Sequence, residues 1–350
     1  MALWRNKIII FILISLLFVV LFNLLSTNQE TYHDVKPKTF YRNTRRLMNL
    51  KNFKYVINSD VCELLHPTPI IVHSYIGNFD FRLALRQSYS KTVLDSLGFR
   101  YVFMVGLSNS SDVQSRLLQE SFQFGDIVQG NFREAYRNLT YKHVMGLTWF
   151  TEFCQNSTYM VKMDDDIAVN VFKLKDVIQS NYDLAGCIIK TKPIRDKHNK
   201  WYVSKEEFTE ETYPAFLSGW LYVAKMTSVQ RLLRAIKLKD YFWIDDLYVT
   251  GILAERAQIC LKDLRSDFEI DPGAIYCCIK KQQRCEFLAA PTGDNYFILQ
   301  QYSKQLSYCK ATNLSCDVFR KSKQHHSCLD LWKKPAVKTQ KGKPSIEILN

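Results

Sequence analysis

Three consecutive carboxylates, Asp164, Asp165 and Asp166, follow directly on the apolar stretch Tyr159-Met160-Val161-Lys162-Met163. Adjacent aspartates repel one another, and a folded chain tolerates them best where a cation or an array of donors compensates the charge. All-oxygen ligands suit a hard divalent ion, Mn2+ or Mg2+, and leave positions open for the phosphates of a nucleotide. The alternatives are a solvated acidic turn, or Asp166 as the N-cap of a helix beginning near Val171. A second acidic pair, Asp245-Asp246, supplies either a general base with its neighbour or N-caps for a helix through Val249 to Glu255. Arg82 and Arg86 lie four apart, so on a helix they share a face; they can meet a diphosphate or uracil, or pair with acids of the fold. Lys162 points opposite to its strand neighbours and can pair with the aspartate cluster. Trp201 and Trp220 offer flat apolar faces, for a sugar ring or for the core.

These side chains need a scaffold, and the surrounding pattern describes one. Residues 70–74 and 101–106 read as buried strands, 113–122 as a helix and 126–128 as a short strand. Tyr136, Leu139, Tyr141, Met145, Leu147 and Trp149 recur at helical spacing through 134–154, ahead of the strand that carries Lys162. Strands alternating with helices imply a parallel sheet, in which ligands bind beyond the carboxyl ends of strands. The three aspartates sit at such an end.

The chain has 350 residues, 47% of them apolar, enough for a packed core and too apolar for a disordered protein. Residues 8–25 form an apolar run that as a helix would reach about 27 Å, long enough for a thin bilayer. Arg5 and Lys7 precede it without an acidic residue, so the N-terminus is expected in the cytoplasm and the rest in a lumen. No small-x-small cleavage site follows the run, which favours an uncleaved anchor over a signal peptide. All ten cysteines lie beyond it, in a compartment that permits disulfides, and no CxxC pair suggests zinc. Asn109, Asn138, Asn156 and Asn313 head Asn-x-Ser/Thr sequons on the same side. The net charge of +13 is concentrated in the two flanks, leaving the central part nearly neutral. That placement excludes a nucleic-acid surface and suits contact with anionic headgroups or acidic glycans. The expected organisation is a cytoplasmic tail over 1–7, an anchor over 8–25, a lumenal stem over 26–60, a catalytic domain over 61–319 and a basic tail over 320–350.

The motifs together resemble the β1,3-galactosyltransferase and β1,3-N-acetylglucosaminyltransferase family. The match runs through Glu120-Ser121, Gly125-Asp126-Ile127, the stretch from Tyr136 to Lys142, Trp149, Cys154, Lys162-Met163-Asp164-Asp165-Asp166 and Val169-Asn170. It extends upstream to Arg82-Leu83-Ala84-Leu85-Arg86-Gln87-Ser88-Tyr89, where the family usually ends in Thr-Trp. Downstream it includes Lys200-Trp201-Tyr202 and the stretch from Tyr213 to Val223, with Leu221 at a usually small position. Asp245 stands where the family has Glu, and the likeness fades from Asp271 onward.

The resemblance implies a GT-A type α/β fold, a Rossmann-like mixed sheet flanked by helices, behind one membrane anchor. It implies an inverting hexosyltransferase of the Golgi membrane, type II, using Mn2+ or Mg2+ and a UDP-sugar, UDP-galactose first and UDP-GlcNAc second. The acceptor would be a glycan on glycoprotein or glycolipid. Asp166 would be the direct metal ligand, with Asp164 at the ribose or a metal-bound water. Arg82, Arg86, Lys162 and Asp165 would complete the donor site, and Asp246 would be the base. Trp201, Tyr213, Gly219, Trp220 and Asp245 would line the acceptor side. Related folds often add a histidine ligand beyond the base, where this chain has only His325 and His326. A catalytically silent glycan-binding relative is the alternative, for which the changes at Ser88-Tyr89 and Leu221 would speak.

Overall fold

A computed structural model describes residues 45–63, 67–237, 241–311 and 316–317. The strands in chain order are β1 (Arg45–Leu47), β2 (Leu50–Phe53), β3 (Tyr55–Ile57), β4 (Thr68–His73), β5 (Phe99–Leu107), β6 (Ile127–Arg133), β7 (Tyr159–Asp164), β8 (Ile167–Val169), β9 (Leu184–Ile189), β10 (Phe216–Lys225), β11 (Leu261–Asp263) and β12 (Ala289–Pro291). Eight of them form a mixed sheet in the order β11-β9-β10-β7-β4-β5-β6-β3. Its middle, β7-β4-β5-β6, is parallel, while β10 runs antiparallel to both β7 and β9. The expected mixed α/β sheet with flanking helices is what the chain adopts.

The middle strands are almost wholly buried because helices cover both faces, which is why they read as continuous apolar runs. Side chains still alternate between two cores. Ile70, Val72, Phe103, Val161 and Met163 face one core, with Phe81 and Leu85 of the Phe79–Ser88 helix and Leu299 of the Phe297–Ala311 helix. Ile71, Val102, Met104, Met160 and Tyr222 face the other, against Val144, Met145 and Leu147 of the Leu139–Phe153 helix.

Several expectations change here. The stem does not extend to residue 60, because β3 pairs with β6 and so belongs to the main sheet. The strand expected over 126–128 runs on to Arg133, and the helical stretch after it begins with a 3-10 turn at Tyr136–Asn138. The Val171–Gln179 helix is capped by Asn170, whose Oδ1 accepts from Phe172 N and Lys173 N at 3.1 Å, and not by Asp166. Leu221 is a core residue opposite Met163, packed inside rather than offered to a ligand. Residues 8–25, the 320–350 tail, Asn313, His325 and His326 lie outside the described residues. Among the described residues, no helix is long and apolar enough to cross a membrane.

Disulfides join Cys62 to Cys154, Cys278 to Cys285 and Cys309 to Cys316. The first spans 92 residues, a closure that on chain entropy stabilises the fold by roughly 4 kcal/mol.

Arg82 and Arg86 do share a helix face, but both turn into the protein. Arg82 is 0% exposed. Its guanidinium meets Glu120 Oε1 at 2.9 Å and Oε2 at 2.6 Å, and also donates to Tyr75 O and Ile76 O. Arg86 meets Asp126 at 2.7 and 2.8 Å and Glu120 at 2.7 Å. Both are corrected from donor ligands to buried ion pairs that fix this helix over the sheet. Burial alone would raise the Glu120 carboxyl, but the hydrogen bonds and charges of Arg82 and Arg86 hold it below its ordinary value.

Glu120→Gln leaves two buried guanidinium groups short of a carboxylate, and is expected to cost about 3 to 5 kcal/mol in urea unfolding near neutral pH. Glu120's folded value is depressed, so its contribution is present above the ordinary 4.5 and fades as the pH falls below it. The stability gap between wild type and variant should therefore narrow at about pH 3. A gap as wide at that pH as at neutrality would refute the ion-pair account.

Candidate active site

The carboxyl ends of β4 and β7 lie side by side, with His73 in register with Asp164. The chain then turns sharply, and Asp165 N donates to His73 O at 3.2 Å. Asp165 points inward: its Oδ2 accepts from Ser74 Oγ at 2.7 Å and Asn78 Nδ2 at 3.0 Å. It is thereby corrected from a donor-binding residue to the one that pins the corner. Asp166 is held from behind, since Thr292 N and Oγ1 both donate to its carbonyl, at 3.0 and 2.9 Å. Thr292 follows β12, which pairs with β8 just past the corner. Asp164 and Asp166 keep half-buried side chains there. Their all-oxygen donor set suits a hard divalent ion such as Mn2+.

Lys162, one step back on β7 and fully buried, links this corner to the second acidic pair. Its ammonium donates to Asp164 Oδ1 at 2.7 Å and to Gly219 O at 2.5 Å. Burial alone would lower its pKa, but the charges of Asp164, Asp245 and Asp246 more than offset this and raise it. Gly219 leaves little room for a side chain. A Cβ there would stand 3.0 Å from Lys162 Nζ and 3.5 Å from Asp246 Oδ2.

Asp246 opens a π-helical turn, Leu247–Leu253, in place of the α-helix expected there. Its Oδ1 accepts from Leu247 N at 2.9 Å, the capping role foreseen as an alternative, and its Oδ2 accepts from Gly219 N at 3.1 Å. Thr250 ties the turn to β10, accepting from Leu217 N at 2.9 Å. Burial and the adjacent Asp245 charge push Asp246 up to about 7 against the pull of Lys162.

Asp245 goes the opposite way. Burial would raise it, but the hydrogen bond from His143 and the Lys162 charge outweigh that and lower it. The contact from His143 Nδ1 to Asp245 Oδ2 is 2.8 Å, and Tyr222 Oη lies 2.6 Å from His143 Nε2. Burial lowers the pKa of His143, so it acts as a neutral donor to Asp245 and accepts from Tyr222. His73 packs edge to face on His143, centroids 4.8 Å apart.

Neither histidine carries a signal in the sequence pattern, and Tyr136 stands there only among the apolar residues at helical spacing and in the family-like stretch. Burial raises the Tyr136 phenol to about 12, and the charges of Asp245, Asp246 and Asp164 push the same way. The Trp201 indole lies against its hydroxyl, which brings Trp201, 44% exposed, to the rim of the acidic cluster. Trp220 is half-buried against the first core and Tyr213 stands among Phe208, Phe216 and Phe242, so neither is an exposed platform. Of the sequons, Asn109 and Asn156 are exposed. Asn138, by contrast, is 8% exposed and its Nδ2 donates to Arg133 O at 2.9 Å, so the expected glycan acceptor is a buried structural amide.

Residues 80–265 match the galactosyltransferase family. Human β-1,3-galactosyltransferase 5 is 30% identical over 225 residues, covering 62% of this chain and 72% of that protein. The mouse enzyme of the same name is 30% identical over 233 residues, with 64% and 75% covered. Human β-1,3-galactosyltransferase 2 is 29% identical over 231 residues, with 63% and 53% covered. The span of the family match takes in the corner at Asp164, the buried Lys162 and the Asp245-Asp246 pair, and the chain belongs to the galactosyltransferase family.

Proposed function

We propose that the protein transfers galactose from UDP-galactose to the 3-hydroxyl of an acceptor glycan, with inversion and with a bound Mn2+ or Mg2+. The observation that carries this reading is the continuous link Asp164–Lys162–Gly219–Asp246, which joins the oxygen-ligand corner to a carboxylate raised toward neutrality. Inverting transfer needs these two ends together: anionic leaving-group stabilisation on one face of the sugar and a base on the other.

Asp166 and Asp164 would hold the divalent ion, which would supply charge stabilisation for the departing diphosphate. Asp246 takes the proton from the attacking hydroxyl. Gly219 N and Leu247 N each donate to one of its oxygens and so fix its orientation. Lys162 keeps the acidic groups together and holds Asp164 toward the donor. Asp245, ionised and oriented by His143, binds acceptor hydroxyls, and exposed Trp201 stacks on the apolar face of an acceptor sugar. The three disulfides suit a lumenal, oxidising compartment, in keeping with a Golgi enzyme anchored through residues 8–25.

Full chain incubated with Mn2+ and UDP-galactose or UDP-GlcNAc should release UDP in an acceptor-dependent way, faster with UDP-galactose. Preference for UDP-GlcNAc would reassign the donor, and no release with any UDP-sugar across a panel of β-linked acceptors would favour a silent glycan-binding relative.

Asp246→Asn should lower kcat by roughly a hundredfold or more with donor binding kept. Equal loss of donor binding would remove Asp246 from the role of base. Gly219→Ala sets a methyl group 3.0 Å from Lys162 Nζ, which has to give by a few tenths of an ångström and loosens the link to Asp246, so transfer should fall at least about tenfold. Its unfolding midpoint should stay near that of the wild type, and full activity would show that the link through Gly219 does not matter.

A further inference from the structure

His73 has no part in the proposed transfer, yet it stands in one cluster with His143 and Asp245. One ligand-capable atom from each lies within 4.8 Å of the others. His73 is 6% exposed, and its Nε2 is buried with no hydrogen-bond partner among the described residues. Its Nδ1 faces Asp245 Oδ2 from 3.7 Å, beyond hydrogen-bond reach. Nδ1, the ring nitrogen that faces Asp245 without bonding it, is therefore the one with room for a shared ligand.

We propose that His73, His143 and Asp245 form a three-ligand site for a borderline divalent cation of the Zn2+ class, separate from the all-oxygen corner at Asp164 and Asp166. Two nitrogens and one carboxylate oxygen are the donor set of open zinc sites, whereas Mn2+ and Mg2+ favour oxygen. Neighbouring ligands of a tetrahedral zinc stand roughly 3.3 Å apart at Zn–N and Zn–O lengths near 2.1 Å. The 2.8 Å from His143 Nδ1 to Asp245 Oδ2 and the 3.7 Å from His73 Nδ1 to the same oxygen bracket that value, and the two imidazoles, within 4.8 Å of each other, close in on a shared ion. An outer partner is also in place. With Nδ1 on the metal, His143 carries its proton on Nε2 and donates to Tyr222 Oη, which sits 2.6 Å away.

The charges facing the cluster permit a cation. Lys162 and Lys142 act on His73, but Lys142 is paired with Glu134 at 2.6 Å and Lys162 with Asp164 at 2.7 Å. Asp245 and Asp246 supply further negative charge. The Asp245 side chain is 14% exposed, so the cluster is reached from the acceptor side. A cation there would occupy the carboxylate that binds acceptor hydroxyls, making Zn2+ an inhibitor; this last step rests on the proposed transferase reading, whereas metal binding does not.

Equilibrium dialysis of the full chain against Zn2+ with excess Mn2+, followed by metal analysis, tests the site directly. Wild type should retain about one Zn2+ per chain, and Zn2+ should raise its unfolding temperature. His73→Phe keeps the ring packing but loses a ligand, and with Asp245→Asn it should weaken binding at least about tenfold and abolish the thermal shift. Tyr222→Phe should weaken binding by about tenfold through the outer partner alone. Asp166→Ala should leave Zn2+ retention unchanged. Wild type without bound Zn2+, His73→Phe that binds as wild type does, or loss of Zn2+ in Asp166→Ala would each overturn the site. Zn2+ retention in a chain that transfers no sugar would support the site while refuting the transferase reading.

Discussion

The buried ammonium of Lys162 is the interaction on which the rest of the site depends. Four carboxylates, Asp164, Asp165, Asp245 and Asp246, converge near the ends of β7 and β10, and each loses much of its hydration there. Even after relaxation, burying an ion costs several kcal/mol, so a cluster of one sign cannot assemble without a counterion or donors. Asp165 meets its need with Ser74 and Asn78. The other three share Lys162, which bonds Asp164 directly and acts through space on Asp245 and Asp246. Lys162 also donates to the carbonyl of Gly219, the residue whose amide holds Asp246. One cation thus sets the spacing between the two acidic motifs, which stand far apart in sequence.

The sheet makes that spacing possible. β4 and β7 are parallel and end together, whereas β10 returns antiparallel beside β7 and brings Gly219 level with the corner. In an open α/β sheet ligands bind beyond the carboxyl ends of the strands, which is the end of β4 and β7 where this corner stands. The corner is then braced from two sides. The Phe79–Ser88 helix is anchored by buried ion pairs to Glu120 and Asp126, and β12 with Thr292 fastens β8 and the carbonyl of Asp166.

Much of this was legible in the sequence because it rests on local pattern. The buried strands β4, β5 and β7 are apolar runs, and Asp164 follows one of them without a break. Asp246 announces itself by the same kind of acid pair after a hydrophobic segment. Arg82 and Arg86 show what local pattern cannot supply. Their shared helix face was plain, but whether it meets a ligand or Glu120 and Asp126 depends on pairings 34 to 40 residues apart. His143 was hidden for another reason: it lies within a helix buried along nearly its whole length, where periodicity gives no contrast between a packed ring and a bonded one. The support of Asp166 by Thr292 spans 126 residues and comes from the part of the chain with the weakest motif content.

The two adjacent aspartates end in opposite states although the chain gives them the same side chain. Asp245 receives a neutral imidazole donor and the field of Lys162, so its ionised form is favoured. Asp246 receives two backbone amides and the same lysine, but it also feels the settled charge of Asp245 beside it. The second carboxylate is therefore raised because the first has been lowered. A base that must accept a proton near neutral pH needs this raised value, and a carboxylate that only positions hydroxyl groups does better fully ionised. In the proposed transfer, His143 and Tyr222, neither of which need touch a sugar, decide which aspartate takes which role.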